Sequence, residues 1–238
     1  MITLDHVCVK YRQRLAVAEV CGTFATGRST AIVGPNGAGK TTLLKAMAGL
    51  LPLASGQIHA PERVAYLPQR TELDRQFPMT VAELALSGSW RRSGAWRRLD
   101  RAEQERATHA LAHMGLAELA NRPIGTLSGG QLQRARFARL MVQDAPVLLL
   151  DEPLNNLDPA SRDLLLKQLT DWQMEGRTVI AVMHDLDLVS RHFDETLLLS
   201  GTVQAWGTTP AVLAAARAEI GFTGHSLWVN PLAEEAGS

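Results

Sequence analysis

Gly34-Pro35-Asn36-Gly37-Ala38-Gly39-Lys40-Thr41-Thr42 lies between an apolar run, Ser29 to Val33, and the stretch Lys40 to Gly49, whose alanine and leucine content and terminal glycine predict a helix. Strand, glycine loop and helix in that order are the setting a phosphate loop requires. Glycines at 34, 37 and 39 let the backbone turn its N–H groups inward with no Cβ in the way, at the N-terminus of the following helix. Lys40 adds a mobile positive charge for the β- and γ-phosphates, and Thr41 places a hydroxyl where Mg²⁺ bridges them. Thr42 extends the cradle. The run from Gly34 to Thr42, with Pro35, Asn36 and Ala38 completing the loop, is therefore the expected nucleotide site. Alone it establishes nucleotide binding and nothing about use.

Working outward, Val147-Leu148-Leu149-Leu150-Asp151-Glu152-Pro153 reads as an apolar strand that delivers two carboxylates at its C-terminal end. Parallel α/β sheets place their ligands at such ends. Asp151 is expected to hold Mg²⁺, directly or through water, and Glu152 to take a proton from an attacking water as general base. Strands are predicted at Thr178 to Met183 and Thr196 to Leu199, and helices at Ser161 to Gln173, Leu186 to His192 and Pro210 to Ile220. This alternation implies a mainly parallel sheet covered on both faces. Ile2 to Tyr11 and Leu15 to Phe24 read as an antiparallel hairpin. Between Phe77 and Arg122 strand-like runs vanish, and Val81 to Leu86 and Arg101 to Met114 read as helices. The expected organisation is one α/β domain, with residues 1–76 and 123–238 as a catalytic core and 77–122 as an inserted helical subdomain. The tail from Ala233 to Ser238 reads as a frayed end.

The composition narrows the partners. In 238 residues, 24 Lys+Arg balance 24 Asp+Glu, so the overall charge points to neither nucleic acid nor an anionic membrane. No apolar run approaches the roughly 20 residues needed to span a bilayer, and Met1 to Asp5 carries no export signal, so a cytoplasmic location is expected. Cys8 and Cys21 read as buried small hydrophobes on strands. His6, Cys8, His109, His113 and His225 show no metal-ligand spacing.

With these stations in place the chain resembles the ATP-binding subunit of an ABC transporter over nearly its whole length. Leu127-Ser128-Gly129-Gly130-Gln131 resembles that family's signature loop, which acts in trans. The resemblance implies that Ser128, Gly129, Gly130 and Gln131 contact the γ-phosphate held by a second subunit, in a homodimer. Read without the resemblance, Ser128 is an N-cap for a helix beginning near Gln131, a position that itself attracts anions. Tyr11 resembles the aromatic that stacks on adenine, or else simply packs. Gln69 resembles the glutamine that contacts Mg²⁺ and the attacking water, Asn155-Asn156-Leu157-Asp158 the loop that communicates between nucleotide sites, and His184 the switch histidine at the γ-phosphate. The implied fold is a P-loop NTPase core of the ABC ATPase type. Leu154 departs from the family, standing where many relatives carry threonine.

Ala65 to Val81, with Arg70, Asp74 and Phe77-Pro78 following Gln69, resembles the corresponding stretch in importers of zinc, manganese and iron. Trp90-Arg91-Arg92 and Trp96-Arg97-Arg98 read either as a solvated helical face or as a contact with a membrane subunit. The resemblance implies an ATP- and Mg²⁺-dependent motor on the cytoplasmic face of the cell membrane. It would energise import of a divalent metal, zinc first and manganese or iron next. Its partners would be integral-membrane permease subunits and, indirectly, a periplasmic or extracellular metal-binding protein. A siderophore, haem or cobalamin importer is the alternative within transport. A soluble ATPase acting on ribosomes or DNA fits a single cassette with a short insert less well.

Overall fold

A computed structural model describes residues 1–11, 14–69, 78–90 and 100–220. The Arg70, Asp74 and Phe77 positions, the Trp96-Arg97-Arg98 run, Arg91 and Arg92, and the tail lie outside these residues. Strands β1 (Ile2–Tyr11), β2 (Arg14–Phe24) and β4 (Ser55–His59) form an antiparallel sheet in the order β2-β1-β4. The second sheet runs β5-β6-β7-β3-β8-β9, from β3 (Ser29–Val33), β5 (Val64–Leu67), β6 (Val147–Asp151), β7 (Thr178–Val182), β8 (Glu195–Ser200) and β9 (Thr202–Thr208). Its first five strands are parallel and β9 is antiparallel to β8.

All five residues of β3, β6 and β7 are buried, as expected for a sheet covered on both faces. Alternation then divides the core. Leu148 and Leu150 pack with the helices on one face, whereas Val147 and Leu149 pack with the antiparallel sheet and α1 (Lys40–Met47) on the other. The helical face is built by α2 (Val81–Leu86), α3 (Arg101–His113), α4 (Gly129–Gln143) and α5 (Pro159–Met174), with α2, α3 and α4 packed on one another. Phe137 of α4 stacks on Trp172 of α5 at 5.5 Å between centroids, with an interplanar angle of 15°.

The helix starts follow local chemistry. Thr80 and Glu83 close a reciprocal cap on α2, Asp100 caps α3, and Asp158 caps α5 ahead of Pro159 at its first turn. Ser128 caps α4, which begins at Gly129, two residues before the expected start. The cap is the same, because a capping box through Gln131 counts its third helical residue rather than its first. Helices α6 (Leu186–His192) and α7 (Thr209–Ile220) complete the chain. Among the described residues no helix is long and apolar enough to cross a membrane.

One expectation for the N-terminal hairpin fails. Cys8 is buried but Cys21 is exposed, and Cys8 donates to a carboxylate, Glu19, at 3.2 Å. A break in strand alternation after Leu4 redirects these side chains.

Candidate nucleotide site

Strand order gathers the site. In the sequence β3 comes first, but in the sheet it lies beside β7, β7 beside β6 and β6 beside β5. The segments that leave their C-terminal ends therefore stand side by side: the glycine loop after β3, His184 after β7, Asp151 and Glu152 at the end of β6, and Gln69 after β5. A cavity of about 470 Å³ opens there, within the usual range for a small-molecule site. Asn36 to Thr42 line it together with Tyr11, Ala16, Gln69 and Glu152. Tyr11, half exposed at the end of β1, thus shares the cavity of the phosphate loop. Ser128, Gly129, Gly130 and Gln131 do not line it.

The loop is held by close contact. Gly39 has φ 89, and a Cβ there would lie 2.4 Å from the carbonyl oxygen of Ala16, so only glycine fits. Lys40 Nζ donates to the carbonyls of Gly34 and Pro35, each at 2.8 Å. Burial lowers the pKa of this ammonium, against the opposing charges of Glu152 and Asp151.

Asp151 is 1% exposed and accepts from Thr41 Oγ1 at 3.0 Å. Burial pushes its carboxyl up; Thr41 opposes the shift and the neighbouring Glu152 charge reinforces it. Tyr66 Oη lies 3.5 Å from its second oxygen. Burial, then the charge of Asp151, drive the Tyr66 phenol well above its usual range, so it remains a donor. A hydroxyl and a buried carboxylate that is costly to ionise alone form a hard oxygen donor set, which suits Mg²⁺.

Glu152 has a left-handed backbone, φ 50, which turns its carboxylate back toward three polar side chains. Gln69 Nε2 donates to Oε2 at 2.5 Å, Asn155 Nδ2 donates to the same oxygen, and His184 Nε2 is 2.7 Å from Oε1. Partial burial favours the neutral acid, but hydrogen bonding and charge from His184, with help from Gln69 and Asn155, outweigh it and hold Glu152 below the usual carboxylate range.

Sequence reasoning missed the support behind these loops. On α4, Arg136 is buried and donates to Gln133 Oε1 at 2.7 Å and to the carbonyl of Pro68, the residue before Gln69. Gln133 Nε2 donates to the carbonyl of Pro153, the residue after Glu152, at 2.7 Å. Burial brings the Arg136 guanidinium down to about 10, with the neighbouring Arg139 adding to the shift. The i,i+3 spacing of two polar residues on a face that should be apolar was the available signal. One helix thus braces both loops that meet at Glu152.

At the start of α4 the two glycines differ. A Cβ at Gly130 would lie 2.7 Å from Asp158 Oδ2 and 2.8 Å from Ser161 Oγ, whereas one at Gly129 would meet nothing within 4 Å. Gly130 is required by packing on the loop that ends at Asp158. Gly129 faces open space.

Residues 17–155 match the ABC transporter family model. The chain is 39% identical over 214 residues to the manganese transport system ATP-binding protein MntB of Listeria innocua, covering 87% of this chain and 89% of that one. It is 40% identical over 214 residues to the zinc transport system ATP-binding protein TroB of Treponema pallidum, covering 87% and 80%. In structure it is similar to an ABC transporter solved in an inward-facing conformation, with a TM-score of 0.81 at 27% identity over 89% of this chain and 84% of that one. The phosphate loop, the carboxylate pair at the end of β6, the sheet order that joins them and the extent of these likenesses lead to one conclusion: the chain belongs to the ABC transporter family, as an ATP-binding subunit whose hydrolysis of ATP is coupled to transport.

Proposed function

We propose that this subunit energises the import of a divalent transition metal across the cell membrane, zinc first and manganese next. The observation that carries the reading is its near-equal likeness, over 87% of its length, to ATP-binding proteins named for zinc and for manganese transport. In this reading 1–76 and 123–238 form the catalytic core and 77–122 a helical subdomain. Two copies close on two ATP molecules, Ser128, Gly129, Gly130 and Gln131 of one facing the phosphate loop of the other. The open face at Gly129 supports that arrangement. Integral-membrane permease subunits hold the pair at the cytoplasmic face, and a periplasmic or extracellular protein delivers the metal.

The roles of the site residues follow from their contacts. Residues Gly34 to Thr42 cradle the phosphates, with Lys40 leaving the carbonyls of Gly34 and Pro35 for phosphate oxygens, and Tyr11 stacks on the base. Thr41, Asp151 and Gln69 hold Mg²⁺, which supplies charge neutralisation at the phosphates when bound. Glu152, kept ionised by its partners, accepts the proton of the attacking water, and Gln69 and His184 fix its two oxygens.

The test is uptake. The subunit is reconstituted in proteoliposomes with its membrane and binding-protein partners and supplied with ATP and labelled zinc, manganese or iron. ATP-dependent, zinc-selective uptake is the expected result. Hydrolysis without uptake of any of the three metals would leave the motor and remove the cargo.

A further inference from the structure

The first two strands carry one pattern twice, His6-Val7-Cys8 on β1 and Glu19-Val20-Cys21 on β2. Val7 pairs with Val20 in the antiparallel ladder, so the two triplets are related by an approximate two-fold at that pair. His6 and Glu19 both have left-handed backbones, φ 46 and 49, and the register slips between Leu4 and Val7. The symmetry extends to the hydrogen bonds. The N–H of His6 donates to Cys21 Sγ at 3.2 Å, and the N–H of Glu19 donates to Cys8 Sγ at 3.2 Å.

The slip changes which residues share a face. Regular alternation would send Asp5 and His6 to opposite sides of the sheet. Here both are exposed, beside the exposed Cys21. One donor atom from each of Asp5, His6 and Cys21 lies within 4.8 Å of the other two. In a tetrahedral zinc site the bond lengths place donors roughly 3.3–3.8 Å apart, a difference that exposed side chains close by small rotations. The ring of His6 is already oriented. Its Nε2 lies 4.0 Å from Asp5 Oδ1, while its Nδ1 is 2.7 Å from Glu19 Oε2. A carboxylate on the far nitrogen of a ligating imidazole is the usual outer partner at metal sites, where it fixes tautomer and direction.

We propose that Asp5, His6 and Cys21 form a binding site for a zinc-class divalent ion on the antiparallel sheet, with Glu19 as the residue that positions the His6 ring. The donor set selects the ion. A thiolate, an imidazole nitrogen and a carboxylate oxygen suit Zn²⁺ and Co²⁺, disfavour Mn²⁺ through its low place in the affinity order, and exclude Mg²⁺ as a competitor. Three protein ligands leave the fourth position to water or to a ligand from another molecule. Binding releases the thiol proton of Cys21 to solvent as the sulfur–metal bond forms. Cys8 stays outside the site, buried, with its thiol on Glu19. The site uses none of the nucleotide-binding residues and stands whether or not the transported cargo is zinc.

The test uses the full chain, reduced, without nucleotide and with excess Mg²⁺. Co²⁺ titration followed by the thiolate-to-cobalt charge-transfer band, with Zn²⁺ competition, is expected to give one ion per chain. Cys21→Ser should remove the band. His6→Asn, chosen because asparagine tolerates a left-handed backbone, should weaken Zn²⁺ binding at least tenfold, and Glu19→Gln about 10–100-fold. Cys8→Ser should leave both band and affinity in place. Circular dichroism and Tm of the metal-free variants establish that each is folded. Absence of stoichiometric binding, or parental affinity in folded Cys21→Ser and His6→Asn, overturns the site.

Discussion

Glu152 shows how much of a candidate base is decided by its neighbours. Its position after four apolar residues made it a candidate base, but of the three groups that bind its oxygens only Asn155 is local, and Gln69 and His184 come from distant parts of the chain. Glu152→Gln is expected to keep ATP binding and lower kcat by about 10²–10⁴, the usual worth of a positioned base; nucleotide binding and steady-state hydrolysis measured on one preparation check this. Lys40→Ala should instead weaken ATP binding itself. The two adjacent carboxylates respond oppositely to pH. Glu152 titrates below its unfolded value, so its stabilising contribution is present above the ordinary carboxylate range and is lost as pH falls through its folded pKa. Asp151 titrates above its unfolded value, so its ionisation costs stability, a cost absent in acid and incurred as pH rises through its folded pKa. Asp151→Asn, still able to accept from Thr41, should therefore raise the Tm of the nucleotide-free protein at pH 7, on the order of 2 °C. Melting curves on descending pH should show the gain shrinking, while Mg²⁺-dependent hydrolysis is lost.

At the scale of the element, α4 carries three separable duties. Its capping box needs Ser128, so Ser128→Ala should cost about 1 kcal/mol. Its second residue packs on the Asp158 loop, and Gly130→Ala, which drives a methyl into Asp158 and Ser161, should cost about 1–3 kcal/mol in a denaturant titration. Its first residue has no such constraint. Gly129→Ala should leave the stability of the isolated subunit equal or slightly higher, since alanine is the better helix former, yet reduce ATPase activity more than tenfold if a second subunit's phosphate closes on that face. Parental ATPase in Gly129→Ala would remove the contact in trans. Further along the helix, Gln133 and Arg136 tie the chain after Glu152 to the chain before Gln69. The bracing was not visible in the motif, because Leu127 to Gln131 ends before Gln133 and Arg136.

The whole molecule is two cores sharing one sheet, and its stability depends on helix packing against the face that carries α4. Trp172 is 1% exposed and stacks on Phe137, so Trp172→Ala should cost about 3–5 kcal/mol, read as a large fall in the denaturant midpoint. At the level of assembly, Glu152→Gln with ATP should elute as a dimer and the parent protein with ADP as a monomer, measured by size exclusion with light scattering. A monomer in both states would overturn the closed pair.

The sequence by itself determined the strand, loop and helix of the phosphate loop and most other elements, because these are local, but it did not disclose β4, β5 or β9. An apolar run, a glycine loop and a helix start depend on residues within a few positions of one another, and their chemistry follows from residue type. Only the tertiary structure decided the order β5-β6-β7-β3, which sets Gln69, Glu152, His184 and the phosphate loop side by side from four distant segments. It also decided that Cys21 is exposed beside His6 and Asp5, and that Arg136 reaches Pro68. The physical reason is shared: strand order and side-chain direction depend on register, and one slipped residue moves a side chain to another face without altering the composition that a linear reading can weigh.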